Sequence, residues 1–130
     1  MNDILVMYLI VNSSLGMSCG KIAAQCGHAV QLLLEQYYSL LSCNIKTEDQ
    51  QKKIDRVELW KAPELDGGYR KVVLQAGEKE WEYLKKAYNP IIVIDAGLTE
   101  VSAGSETVMV LYPMFKEEEC SKLKRLQCLK

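Results

Sequence analysis

Apolar residues along the chain fall into short continuous runs that alternate with longer stretches of helical spacing. Residues 4–11 and 91–94 are wholly apolar and rich in strand-forming side chains, a pattern typical of strands covered on both faces of a sheet. Between residues 21 and 41 the apolar positions recur at intervals of three, four and seven, which predicts an amphipathic helix. The apolar side of this helix holds Ile22, Cys26, Ala29, Leu33 and Leu40, and the opposite side holds Lys21, Gln25, His28 and Glu35.

The remaining segments predict further strands and helices. Thr47-Glu48-Asp49-Gln50 has the spacing of a capping box, and it opens a predicted helix that runs toward Trp60. Strands are predicted at 70–75 and 107–112, and a short helix is predicted at 78–87. The tail from Phe115 is predicted to form one helix, because acidic residues in its first turn and basic residues later suit the helix dipole.

The order of these elements predicts an α/β fold. Strands alternate with helices and two strands need cover on both faces, so we expect a three-layer α/β/α arrangement around a four-stranded sheet. The connection between the third and fourth strands is too short for a helical crossover, which predicts a mixed sheet. No repeat or low-complexity segment divides the chain, and 130 residues suit one domain, so residues 1–130 are expected to fold together.

Composition and charge exclude several classes of protein. The chain carries 16 basic against 17 acidic residues and is 48% hydrophobic, unlike domains that coat nucleic acid with bulk positive charge. The longest apolar run is too short to cross a bilayer, and no signal peptide is visible. Five cysteines without a CxxC pair, beside a single histidine, predict free thiols in a reducing cytoplasm and no zinc site.

A glycine-containing loop at residues 16–20 connects the first strand to the long helix and invites comparison with a P-loop. A P-loop has four residues between its glycines and Ser or Thr after Gly-Lys. Here three residues separate the glycines, and Ile22 follows Lys21. Ordinary nucleoside-triphosphate hydrolysis is excluded on these grounds, and a nucleotide-binding domain has no other support.

Polar residues at two places could carry chemistry. Lys21 lies in the first turn of its helix, either as a solvated lysine or as part of an anion site with the helix N-terminus. Gln25 and His28 share its face, although a histidine in this setting is more often structural than catalytic. Asp95 follows a buried strand, where open α/β sheets usually place their sites. The simpler interpretation of Asp95 is a carboxylate that bonds nearby backbone amides in a turn.

The two polar places together resemble a known family. Residues 20–29, GKIAAQCGHA, closely resemble the helix signature of the type II peptidyl-tRNA hydrolases. Residues 95–101, DAGLTEV, with 104–108, GSETV, resemble that family's second signature. Residues 71–74 fit the strand between them, and the resemblance is weak only through residues 40–67.

The resemblance implies a mixed four-stranded sheet between helices, and hydrolysis of the ester between a peptide and the terminal ribose of tRNA. This reaction recycles tRNA from peptidyl-tRNA that has left the ribosome, and it needs no metal or other cofactor. The catalytic residues implied are Lys21, Gln25, Asp95 and Thr99, and the substrate-binding residues are Gly20, His28, Lys71, Gly104 and Ser105. The expected partner is the acceptor end of tRNA, without membrane contact, and a homodimer is a further expectation.

These residue types suit ester hydrolysis. Asp95 would orient or deprotonate a water, and Lys21 would stabilise the oxyanion or hold a phosphate. Gln25 would position the water or the carbonyl, and Thr99 would fix the Asp95 carboxylate.

The chain departs from the family pattern at Leu98, where the family usually has arginine. The lost positive charge lowers the expected affinity for tRNA phosphates. The alternative function is therefore a member that has lost catalysis and serves as a tRNA- or protein-binding module. Glutamate side chains crowding the cleft between Lys21 and Asp95 would weigh against tRNA as the substrate.

Overall fold

One mixed sheet lies between two layers of helices in the computed structural model, which describes residues 4–64, 67–98 and 100–130. The strands are β1 (Met7–Asn12), β2 (Lys71–Ala76), β3 (Ile91–Ile94), β4 (Glu106–Val110) and β5 (Gln127–Cys128), in the order β3-β4-β1-β2-β5. Strand β1 is parallel to β2 and antiparallel to β4. Strand β3 is antiparallel to β4, and β5 is antiparallel to β2. The strands β1, β2 and β3 therefore all end at the same edge of the sheet.

Four helices form the outer layers, so the predicted three-layer architecture and mixed sheet are confirmed. They are α1 (Cys19–Leu41), α2 (Glu48–Lys61), α3 (Glu78–Tyr88) and α4 (Ser121–Arg125). The predicted capping box is present at the start of α2, where Gln50 N–H donates to Thr47 Oγ1 at 3.1 Å and Thr47 N–H donates to Gln50 Oε1 at 3.0 Å. These bonds satisfy backbone donors that helices leave unpaired at their N-termini.

Strand β1 lies in the middle of the sheet and sends side chains into a core on each face. Met7, Leu9 and Val11 are buried in the core that includes residues of α1 and α2. Ile10 points the other way, into the core that includes residues of α3 and α4. A strand with helices on both sides has no solvated face, which explains why the first run of the sequence is continuously apolar.

Two expectations about the C-terminal part are wrong. The sheet has five strands rather than four, because Gln127 and Cys128 pair with β2, and two residues are too few to show strand periodicity. The tail is also not one helix: a short 3-10 turn, Lys116–Glu118, precedes α4. The Tyr88 hydroxyl accepts from Cys120 N–H at 2.8 Å and donates to the Glu118 carbonyl at 3.3 Å. It thus satisfies backbone groups at the break between the turn and α4.

Glu118 ties this C-terminal segment to α2. Its carboxylate accepts a hydrogen bond from Phe115 N–H at 2.8 Å and pairs with Arg56 and with Lys52, the latter at 3.2 Å. Burial alone raises the pKa of Glu118, but these three partners outweigh it and lower that pKa from 4.5 to about 2. The charged form of Glu118 therefore stabilises the folded state.

We expect Glu118→Gln to lower the free energy of unfolding at neutral pH by about 1–2 kcal/mol, a value discounted for partial exposure. The contribution of Glu118 is complete above pH 4.5 and is lost as the pH falls toward 2. Denaturant unfolding of the wild type and the variant should therefore give a difference that shrinks in acid. Glu117→Gln removes an exposed neighbouring charge and should match the wild type. A Glu118→Gln difference that stays constant with pH would contradict the assignment.

Candidate active site

A cleft of about 550 Å³ opens at the edge of the sheet where β1, β2 and β3 end. The start of α1 forms one side, and the connection between β3 and β4 forms the other. The cleft is lined by Gly20, Lys21, Ala24, Gln25, His28, Ile94, Asp95, Ala96, Leu98 and Glu100. The structure therefore brings residues of both sequence motifs to one place, as the strand-end argument predicts.

Lys21 and Asp95 form a close ion pair in this cleft. Lys21 Nζ lies 2.5 Å from Asp95 Oδ1, and the two side chains are only 11% and 8% exposed. The second carboxylate oxygen, Oδ2, accepts a hydrogen bond from Gly97 N–H at 2.7 Å. The Lys21 ammonium, followed by the Gly97 amide, holds the pKa of Asp95 below its ordinary value. Asp95 is therefore ionised at neutral pH, and both of its oxygens are engaged.

Gln25 belongs to the same cluster: it lines the cleft with Lys21 and His28, as their shared face predicts, and yet it is buried. The side chain is only 3% exposed. Gln25 Nε2 donates to Thr107 Oγ1 at 2.8 Å and lies 3.5 Å from Asp95 Oδ1. Helical periodicity sorts residues by polarity, whereas here polar partners from the sheet allow an amide to be buried.

Thr107 is the site residue that sequence reasoning missed. It lies on β4, is fully buried, and also donates to the Val93 carbonyl at 3.3 Å. The signal available in the sequence was a single hydroxyl directly before the apolar run of residues 108–110.

The connection after β3 is folded so that backbone groups hold Asp95. Asp95 N–H donates to the Ser105 carbonyl, and Gly104 N–H donates to the Asp95 carbonyl, each at 2.9 Å. Gly97 has φ +79°, and a Cβ atom there would lie 2.5 Å from Ala103 N, so only glycine fits. The predicted Gly104-Ser105 turn thus lies at the site, and it contacts Asp95 through main-chain atoms.

A second carboxylate occupies the N-terminus of α1. Ser18 caps the helix, with its Oγ accepting from Lys21 N–H at 3.3 Å. Glu100 accepts from Ser18 N–H at 2.8 Å and from the Ser18 hydroxyl, and these bonds lower the pKa of Glu100. The anion site predicted at Lys21 and this helix end thus contains the protein's own Asp95 and Glu100. Glu100 is the single glutamate among the described residues that line the cleft.

The other predicted residues divide into three groups. Gly20 and His28 are exposed and line the cleft. Lys71 begins β2 and therefore lies at the opposite edge of the sheet, where its Nζ sits 5.1 Å from the Trp60 ring centroid. Thr99 lies outside the described residues.

Within residues 4–64, 67–98 and 100–130, no group of three or more His, Cys, Asp or Glu side chains is placed to hold a metal ion. No helix in these ranges combines the length and apolar character that crossing a membrane requires. All five cysteines are free thiols.

The effect of Lys21 on the pKa of Asp95 can be tested without a substrate. Lys21→Met removes the group with the largest effect on Asp95, so the pKa of Asp95 should rise toward its ordinary 3.8. A carbon-13 NMR titration of the Asp95 carboxyl carbon measures the change. Lys79→Met removes an exposed lysine on α3 and should leave that pKa unchanged. Identical Asp95 titrations in the wild type and Lys21→Met would show that the pair has no electrostatic effect.

Comparison with known proteins gives consistent matches. The family model described as peptidyl-tRNA hydrolase PTH2 matches residues 5–129. Peptidyl-tRNA hydrolase 2 of Saccharomyces cerevisiae is 34% identical over 117 residues, covering 82% of this chain and 50% of the yeast protein. Peptidyl-tRNA hydrolase of Pyrobaculum aerophilum is 31% identical over 113 residues, covering 82% of each chain. The mitochondrial peptidyl-tRNA hydrolase 2 of Homo sapiens is 28% identical, covering 82% of this chain and 54% of the human protein.

The range matched by the family model includes both sequence motifs and every strand of the sheet. The chain spans about half the length of the yeast and fission yeast relatives that it matches, and most of the archaeal one. A family model that spans nearly the whole chain agrees with the signatures at residues 20–29 and 95–108. The chain therefore belongs to the type II peptidyl-tRNA hydrolase family.

Proposed function

We propose that this protein hydrolyses the ester between a peptide and the terminal ribose of tRNA. The observation that carries the proposal is the connected group of Lys21, Asp95 and Gln25 at the strand ends. Relatives of the chain are named peptidyl-tRNA hydrolases. The alternative of a binding module without catalysis is not favoured, because the described catalytic candidates contact one another instead of being dispersed.

Asp95 is the group best placed to act on a water. In this mechanism the water oxygen attacks the ester carbonyl carbon while one water proton moves to Asp95. The ester C–O bond then breaks, and the proton passes to the ribose oxygen, which leaves a free tRNA and a peptide acid. Because its pKa is lowered, the Asp95 carboxylate is a weak base in the resting enzyme. Asp95 therefore acts mainly by orienting the water and accepts the proton only as the water attacks.

Lys21 supplies positive charge beside the reacting centre. Its ammonium group is held 2.5 Å from the carboxylate, so its position is fixed before the substrate arrives. A preorganised charge of this kind stabilises the oxyanion that develops on the carbonyl oxygen. Thr99 keeps its proposed role of fixing the Asp95 carboxylate, and it rests on the family resemblance alone. Gly20 and His28 would contact the acceptor end, whereas the position of Lys71 does not support a contact in this cleft.

The proposal also includes the cellular compartment and the oligomeric state of the enzyme. Five free thiols support a reducing compartment such as the cytoplasm. A homodimer stays a prediction, and the sedimentation coefficient of the purified chain would test it.

Release of free tRNA from an N-acetylated aminoacyl-tRNA tests the activity. We expect Asp95→Asn and Lys21→Ala each to lower kcat/KM by about 10²–10³, because each removes a charge aimed at the reacting atoms. Asp55→Asn, which changes an exposed residue of α2, serves as the matched control and should be fully active. Near wild-type rates in both site variants would refute the site. A wild-type protein that binds tRNA but does not hydrolyse the ester of the N-acetylated aminoacyl-tRNA would favour the binding module.

Leu98 allows a separate test of substrate binding. It lines the cleft and is 88% exposed, so a charged side chain there would cost no core packing. We expect Leu98→Arg to bind uncharged tRNA more tightly and to steepen the salt dependence by about one counterion. Leu98→Gln controls for the lost apolar surface and should leave the slope unchanged. If tRNA binding by Leu98→Arg and by the wild type depended equally on salt concentration, the tRNA phosphates would lie away from residue 98.

A further inference from the structure

Thr107 is a buried hydroxyl on β4, directly before residues that supply apolar core. The next residues of β4, Val108, Met109 and Val110, are fully buried and apolar, and Thr107 is equally buried. A valine would fill the same volume without a polar atom to satisfy. The hydroxyl instead contacts Gln25 Nε2 at 2.8 Å and the Val93 carbonyl at 3.3 Å.

The chemistry of a hydroxyl fixes the direction of these two bonds. A threonine hydroxyl has one proton to donate, and its remaining capacity is to accept. The Val93 carbonyl can only accept, so it takes the proton, and the lone pairs of Thr107 must meet an N–H group of Gln25. A reversed amide would place Gln25 Oε1 against those lone pairs and 3.5 Å from the Asp95 carboxylate. Thr107 and Asp95 together therefore select one orientation of the Gln25 amide.

This orientation determines what Gln25 offers to the cleft. Its Nε2 faces Thr107 and Asp95, so Oε1 is the end that remains. Within residues 4–64, 67–98 and 100–130, every fully buried side-chain oxygen or nitrogen has a hydrogen-bond partner. Gln25 Oε1 has none among these residues. Oε1 is therefore not fully buried, and the residue that carries it lines the cleft.

We infer that Thr107 is a positioning residue for the hydrolysis, which holds Gln25 so that Oε1 accepts a hydrogen bond from the attacking water. This inference rests on the proposed function. The water has two protons: one moves to Asp95 as the oxygen bonds to the carbonyl carbon, and the other stays on that oxygen and is held by Gln25 Oε1. Two acceptors on one water aim its lone pair, which neither Asp95 nor Gln25 achieves alone.

Thr107→Val and Thr107→Ser separate the hydroxyl from the shape of the side chain. We expect Thr107→Val to lower kcat by about 10- to 100-fold. KM should change little, because Thr107 is buried and does not line the cleft. Thr107→Ser keeps the hydroxyl and should retain most of the wild-type kcat. A wild-type kcat in Thr107→Val would overturn the inference.

Combining Thr107→Val with Gln25→Leu distinguishes an effect that acts through Gln25 from a merely structural role of Thr107. If Thr107 acts through Gln25, adding Thr107→Val to Gln25→Leu should cause no further loss of kcat. An equal loss in both backgrounds would show that Thr107 acts by another route, and it would overturn the inference.

The side-chain amide of Gln25 provides a readout without substrate. Its nitrogen-15 NMR signals should show slow hydrogen exchange in the wild type and Thr107→Ser, and fast exchange in Thr107→Val. Exchange rates that match in all three proteins would overturn the inference. An inactive wild type would instead overturn the proposed function, while the amide signals would still show whether Thr107 orients Gln25.

Discussion

The Lys21–Asp95 ion pair is the contact on which the rest of the site depends. It joins the first turn of α1 to the end of β3, two segments that are 74 residues apart in sequence. Two charges with so little exposure are costly to remove from water unless further hydrogen bonds accompany their attraction. Here the Gly97 amide donates to Oδ2 of Asp95, and Gln25 Nε2 approaches Oδ1, the oxygen that Lys21 binds. The pair therefore requires the turn after β3 and the buried face of α1 to be in place together.

The fold supplies these conditions through its sheet order. Strand β4 lies between β1 and β3 and is antiparallel to both, so β1 and β3 finish at one edge. After β1 the chain passes through a 3-10 turn, Ser13–Leu15, and enters α1, whose buried residues Gln25, Ala29 and Leu33 face the sheet. The same packing that buries the apolar residues thus presses Gln25 against Thr107. The hydrogen bond to Thr107 explains why a polar amide is tolerated at this core position, and the proposed chemistry would use the same residue pair.

Much of this arrangement was predictable from local patterns, and the remainder depends on contacts between distant elements. The continuous apolar run of β1 predicted a central strand, because two-sided burial leaves no polar positions. The spacing of Thr47 and Gln50 predicted the start of α2, because capping is decided within one turn. The burial of Gln25 was not predictable, since it requires a hydroxyl 82 residues away. The position of Lys71 relative to the cleft likewise depends on which end of its strand it occupies, and a motif match carries no such information.

The charges of the cleft bear on which part of the proposed substrate would enter it. Lys21 is countered by Asp95, and Glu100 adds a second carboxylate at the α1 N-terminus. Among the described residues that line the cleft, one lysine stands against two carboxylates, a balance of charge that does not favour a phosphate there. In the proposed reaction a neutral ester carbonyl would meet no such repulsion, and its oxygen would become negative beside Lys21 in the transition state. The charges of the cleft thus suit the scissile bond of the proposed substrate, and the phosphates of a bound tRNA would have to contact cations on the surface around the cleft.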